Sequence, residues 1–152
     1  MWEELRRFRG LERQAQGLFL RAVVALPMIS RSLRRKGFRA THARLRERLP
    51  AARPPEATDH QRIATTVRMV QAAVRHGLGK PACLQESLTI WWLLARQGIS
   101  SDLRIGVRKK GVLFEAHAWV EREGVALNEA EARHTHYAAF DEDFPATLSE
   151  TR

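Results

Sequence analysis

Between Gly98 and Leu103 the apolar period of this chain switches from that of a helix to that of a strand. Before the switch, apolar residues recur every three or four positions, which gathers them on one helical face. After it, Leu103, Ile105 and Val107 recur at every second position, as do Phe114, Ala116, Ala118 and Val120, with Glu115, His117 and Trp119 facing the other way. A period of two lines one face of a strand. Helices first, then short strands joined by tight turns, predict an α+β fold with an antiparallel sheet. At 152 residues the chain has the length of a single domain, 1–152, with a core of its own.

The elements follow from local signals. Trp2, Leu5, Phe8, Leu11, Ala15, Leu18, Ala22, Val23 and Leu26 share one face and predict a first helix. Pro27 kinks it or opens a second, and Gly37 ends the segment. Pro50, Pro54 and Pro55 make Leu49–Ala57 a linker. Thr58 with Gln61 reads as a capping box. The helix it opens runs through Ile63, Val67, Val70 and Val74 to about His76, closed by Gly77 and Gly79. Pro81 opens the next helix, about Cys83 to Arg96, which stops at Gly98. Its apolar residues lie on more than one side, so it is buried. A turn at Arg108–Gly111 joins the first strand to a second, Val112 to Glu121. Glu123-Gly124 is a hairpin signal leading to a third strand, Val125–Asn128. This divides the chain into a basic helical region (1–54), a core (58–129) and an acidic tail (130–152).

Charge and cysteine content exclude several classes. Fourteen of the 26 basic residues but only four of the 17 acidic ones lie in Met1–Pro54. Such a surface attracts nucleic acid, anionic lipid or an acidic protein. The segment has no recognisable nucleic-acid motif, and no nucleic acid is expected as a partner. The single cysteine rules out an intrachain disulfide and a four-cysteine zinc site, and a cytoplasmic location is expected. No apolar run reaches the roughly 20 residues of a membrane span. His134 and His136 have no evident third ligand, so no metal and no cofactor is expected.

The chemistry centres on Cys83. A thiol at a helix start is placed where the helix dipole favours its anion. A free cysteine is more often a small buried hydrophobe, but His117 changes the odds. A cysteine at a helix start with a histidine in a strand is the arrangement of papain-like enzymes, in which imidazole takes the thiol proton. A third group must hold the histidine. With a three-residue loop (Arg122, Glu123, Gly124), His117 faces Glu129 across the hairpin. With a two-residue loop the register shifts and Asn128 becomes the neighbour. Glu129 is preferred because it adds a charge that stabilises imidazolium; Asn128 is the fallback. Backbone N–H groups at the helix start, Cys83 included, would hold the oxyanion. Gln71 and Gln85 suit that task by chemistry alone. Trp119 shares a face with His117 and is a candidate wall for substrate.

These residues carry a resemblance. Cys83-Leu84-Gln85-Glu86-Ser87-Leu88, Trp92-Leu93-Leu94, Gly98-Ile99, Leu103-Arg104-Ile105-Gly106-Val107 and Ala116-His117-Ala118-Trp119-Val120-Glu121 resemble the transglutaminase-like cysteine peptidases of lasso-peptide biosynthesis, over about Ile63 to Glu129. The resemblance implies a transglutaminase-like, papain-like core and a leader peptidase. Its nucleophile would be Cys83 and its base His117. The third member, usually Asp, would fall at Glu129, one methylene longer. It further implies a precursor peptide as substrate, a small winged-helix-like leader-recognition protein and an asparagine-synthetase-like cyclase. Only 82 residues precede Cys83, so the split form is expected, with recognition supplied in trans. The alternative is a non-catalytic basic module for nucleic acid or an acidic protein, indifferent to Cys83 and strongly salt-dependent.

Overall fold

A computed structural model gives the architecture and describes residues 12–77, 82–129 and 133–139. Helix α1 (Arg13–Arg46) buries Ala15, Leu18, Ala22, Ala25, Leu26 and Ile29, a stripe that steps by three or four with one single step. Pro27 is accommodated within the helix. At Gly37 the backbone leaves the helical region (φ 76°, ψ 177°), a conformation that only glycine adopts cheaply. The buried hydroxyl of Thr41 donates to the Gly37 carbonyl at 2.8 Å and holds the break. Gly37 therefore bends the segment instead of ending it. Trp2, Leu5, Phe8 and Leu11 of the expected first helix, Gly79 and Pro81, and most of the acidic tail lie outside the described residues.

The proline-containing linker is pinned. The Arg53 N–H donates to the Gly98 carbonyl at 3.0 Å, and its guanidinium grips Asp59 at 2.5 Å. Asp59 opens α2 (Asp59–His76) and accepts the Glu56 N–H at 3.1 Å. Thr58 makes no side-chain cap: the expected capping box is absent because Asp59 gathers the chain before the helix. Arg122 reaches the same carboxylate from the sheet at 3.4 Å. The hydrogen bond from Arg53 holds the Asp59 carboxyl down to about 2, below its ordinary 3.8. A folded pKa below the unfolded one gives stability that is complete above about pH 4 and lost as pH falls toward 2. Denaturant titrations across that range are expected to show the loss, and Asp59→Asn is expected to remove that part of the slope.

Helix α3 (Cys83–Arg96) is central, with Leu88, Ile90, Trp91, Leu93 and Leu94 all buried. Gly98 (φ 74°) ends it. The Gly98 N–H returns to Ala95 O and that of Ile99 to Leu94 O, a Schellman close. Strand β1 (Asp102–Lys110) pairs with β2 (Leu113–Arg122) over its whole length. The turn between them is Gly111-Val112, with Gly111 at φ 65°, so β1 runs on to Lys110, through most of the expected Arg108–Gly111 turn, and β2 starts at Leu113, one residue later than expected. The next turn has two residues, Glu123 (φ 53°) and Gly124 (φ 78°). Two positive φ values match the twist of a tight hairpin. Strand β3 is only Val125–Ala126, shorter than the expected Val125–Asn128. A fourth strand, β4 (Ala138–Ala139), was not legible in the sequence and pairs with Gly106 and Val107. The sheet order is β3-β2-β1-β4. The core joins the three helices to Ile99 and Val120, so α3 is clasped between α1, α2 and the sheet. Together these give the expected α+β architecture, with a helix that starts at cysteine packed on an antiparallel sheet. Among the described residues no helix is long and apolar enough to cross a membrane.

Candidate active site

Cys83 is the first residue of α3 and is half-buried. The turn that presents it is closed twice. Gln85 Oε1 accepts the Ala82 N–H at 2.9 Å, and the Gln85 N–H donates to Ala82 O at 2.9 Å. Gln85 thus shapes the helix start. The first N–H groups of a helix have no intrahelical acceptor and mark the positive end of its dipole. A thiolate, and then an oxyanion, is favoured there.

His117 lies in β2 directly opposite Gly106. Its Nε2 is hydrogen-bonded to Glu129 Oε1. The Glu129 side chain is 6% exposed and that of His117 21%, so water competes little for the carboxylate. An ionised carboxylate only accepts, which puts the imidazole proton on Nε2 and leaves the Nδ1 lone pair available to a thiol. Tyr137 stands 5.1 Å from the His117 ring, centroid to centroid. Burial raises the Tyr137 pKa, and the charge of Cys83 is one of the smaller contributions in the same direction. Tyr137 therefore borders His117.

Glu129 reaches His117 by a different route from the one the sequence suggested. The hairpin has the two-residue loop, with Glu121 opposite Ala126 and Arg122 opposite Val125. In that register Asn128 was the expected neighbour of His117. The ladder instead ends at Ala126, and the two side chains diverge. Asn128 Oδ1 accepts the Val120 N–H at 2.9 Å. Its Nδ2 donates to Ser87 Oγ at 3.0 Å, and Ser87 donates to Ala118 O at 2.9 Å. Asn128 is thus a tie between α3 and β2, and the next residue turns back to His117. The loop has two residues and not three, yet Glu129 is the residue beside the imidazole.

Trp119 stacks on His117 with centroids 6.0 Å apart. It is 2% exposed, and its Nε1 donates to Glu121 at 3.2 Å. A tryptophan this buried backs the imidazole; it does not offer a surface to substrate. Gln71 donates to Asn128 O at 3.4 Å and to Glu86 Oε1 at 3.5 Å. Glu86 is three residues beyond Cys83, on the same helical face. Burial raises its pKa, while the Gln71 hydrogen bond and the charges of Arg75 and His117 act against that rise. His136 lies in a short 3-10 turn (Arg133–His136), not in the extended chain that would aim His134 and His136 together. A cleft of about 750 Å³ lined by Phe38, His42, Trp91 and Arg104 lies elsewhere, and none of Cys83, His117 and Glu129 borders it.

Two neighbours of His117 went unread in the sequence. Gly106 lies inside the strand, between the apolar Ile105 and Val107 and on the face opposite theirs, and a glycine inside a strand is a sign of close approach. A Cβ there would stand 2.9 Å from Tyr137 Cβ and 3.0 Å from the Trp119 ring. The glycine makes room for both rings that flank the imidazole. Gly106→Ala is expected to displace them. The cost is about 1–3 kcal/mol of stability and roughly a hundredfold in turnover from a misplaced base. Thermal melts and steady-state kinetics check both. Tyr137 had no periodic signal; it arrives through β4.

No curated protein and no solved structure gives a significant match to the chain. A family model described as the transglutaminase-like superfamily matches residues 22–140, more than three quarters of the sequence. It spans most of α1, all of α2 and α3 and the whole sheet, including Cys83, His117 and Glu129. The chain belongs to the transglutaminase-like superfamily, which includes cysteine peptidases.

Proposed function

We propose that this chain is a cysteine peptidase that cuts the leader from a ribosomally made lasso-peptide precursor. The observation that supports the catalytic part is the buried Glu129 carboxylate held on His117, with the chain's one cysteine, Cys83, at the start of the helix packed on the same sheet. The lasso assignment rests on the motif resemblance from Cys83 to Glu121. His117 Nδ1 takes the thiol proton and Sγ attacks the carbonyl carbon of the last leader residue. The oxyanion draws on the N–H groups at the start of α3. The C–N bond breaks, and imidazolium returns its proton to the amine of the departing core peptide. Water, deprotonated by His117, then hydrolyses the thioester. The leader leaves as a carboxylate and the thiol is restored.

A separate leader-recognition protein would present the precursor, and an asparagine-synthetase-like cyclase would close the ring afterwards. Helix α1 has nine cations and no carboxylate between Arg13 and Arg46, which suits docking to an acidic recognition protein. The test is cleavage of a lasso precursor by this chain with a recognition protein, read by mass spectrometry. A single cut at the leader–core junction supports the proposal. An intact precursor beside a Cys83 that alkylates faster in wild type than in His117→Ala would leave a peptidase but reject this substrate. Equal, slow alkylation in both would reject the peptidase, and the basic binding module would take its place.

A further inference from the structure

The β1–β2 hairpin runs beyond the sheet that holds it. Strand β4 pairs only with Gly106 and Val107, and β3 only with Glu121 and Arg122. From Arg108 to Glu115 the two strands pair with each other alone among the described residues. Three residue pairs at about 3.3 Å each make an arm roughly 10 Å long. Its end is apolar and bare: Val112 is 92% exposed, Leu113 71% and Phe114 76%. Behind it, Lys109 and Lys110 are exposed as well. At the base, Arg108 is already paired with Glu115 at 2.7 Å.

The placement of these side chains selects the partner. Successive residues of a strand point to opposite faces. Leu113 and its cross-strand partner Lys110 lie on the His117 face, and Phe114 and its partner Lys109 on the other. Val112 occupies the turn. The tip is therefore apolar on both faces, with one cation behind it on each. A flat protein surface would cover one face and leave the other wet. A medium that is apolar all round, with anions at its rim, covers both. We propose that this hairpin tip inserts into the interface of an anionic lipid bilayer, with Val112, Leu113 and Phe114 at the acyl boundary and Lys109 and Lys110 among the headgroups. An arm of about 10 Å matches the roughly 5–10 Å depth of that boundary. It leaves the sheet next to His117, so docking would hold the candidate active site within a few residues of the membrane surface.

The full chain is tested by co-sedimentation with vesicles of mixed phosphatidylcholine and phosphatidylglycerol, and with phosphatidylcholine alone. Wild type is expected to bind the mixed vesicles, less so as salt is raised, and to ignore the neutral ones. Lys109→Ala and Lys110→Ala are each expected to weaken partitioning about fivefold. The triple change Val112→Ser, Leu113→Ser, Phe114→Ser is expected to weaken it more than tenfold. These positions are exposed, so unchanged melting curves are expected for every variant. Phe114→Trp supplies a direct reporter, whose emission should shift to the blue with mixed vesicles. Cys83→Ala should bind as wild type does, which separates this proposal from the peptidase one. Three results would overturn it. The first is wild type that does not bind. The second is tip variants that bind undiminished, which would hand the role to the exposed Leu20, Val24 and Met28 of α1. The third is tip variants that lose precursor cleavage without vesicles while wild type shows no lipid binding, which would make the tip a protein contact.

Discussion

Cys83→Ala is expected to abolish cleavage, a loss on the order of a million-fold, with the fold intact. The estimate follows the behaviour of nucleophile–base units, whose members act together. Without Sγ no thioester forms, whatever His117 does. His117→Ala is expected to cost about as much, because the thiol then keeps its proton. The double variant should be little worse than either single one. Cys83 is half-buried at the start of α3, and alanine tolerates a helix start, so melting temperatures should hardly move. Cleavage that survives Cys83→Ala would remove the mechanism. A double variant far worse than both single ones would mean that the two residues do not act as a unit.

The second large effect separates two adjacent residues. Glu129→Ala should lower kcat about a hundred- to ten-thousandfold at nearly unchanged stability. It removes the acceptor on His117 Nε2, which sets the tautomer and stabilises imidazolium. Asn128→Ala should do the reverse. It strips the Val120 N–H and the Ser87 hydroxyl of a partner inside the core, at about 1–3 kcal/mol for each buried group left unsatisfied. For a chain of this length that lowers Tm by roughly 5–10 °C. Stability from thermal melts and kcat from single-turnover cleavage should therefore move in opposite columns. If Asn128→Ala lost kcat at constant Tm while Glu129→Ala did not, the assignment of the third member would be reversed.

Buried stripes and punctuating glycines were readable because they are local. Of the residues 63, 67, 70 and 74 that define α2 in the sequence, the helix buries the first three and half-buries the fourth. Gly98, marked as a stop, closes α3 through two backbone bonds. Gly37 was misread as an end because a glycine with left-handed φ interrupts a helix whether or not the chain resumes. What decides is the packing on both sides, here a buried Thr41 bonded across the break. Thr58 had the right spacing for a cap but makes none; the helix start is fixed instead by Asp59, held by Arg53 six residues back and by Arg122 from the sheet.

The site divides in the same way. That Cys83 starts a helix and that His117 lies in a strand were legible from the sequence alone, since both are matters of spacing and of residue type. The α+β order and the antiparallel hairpin were legible for the same reason. The partner of His117 was not, because it depends on where a ladder stops. A two-residue turn ends the pairing at Ala126, and the competition for Asn128 between β2 and α3 then frees Glu129 to turn toward the imidazole. Tyr137, Gly106 and the burial of Trp119 were decided only by tertiary structure. They depend on β4 returning to β1 across some thirty residues of chain, and no local propensity encodes such a return.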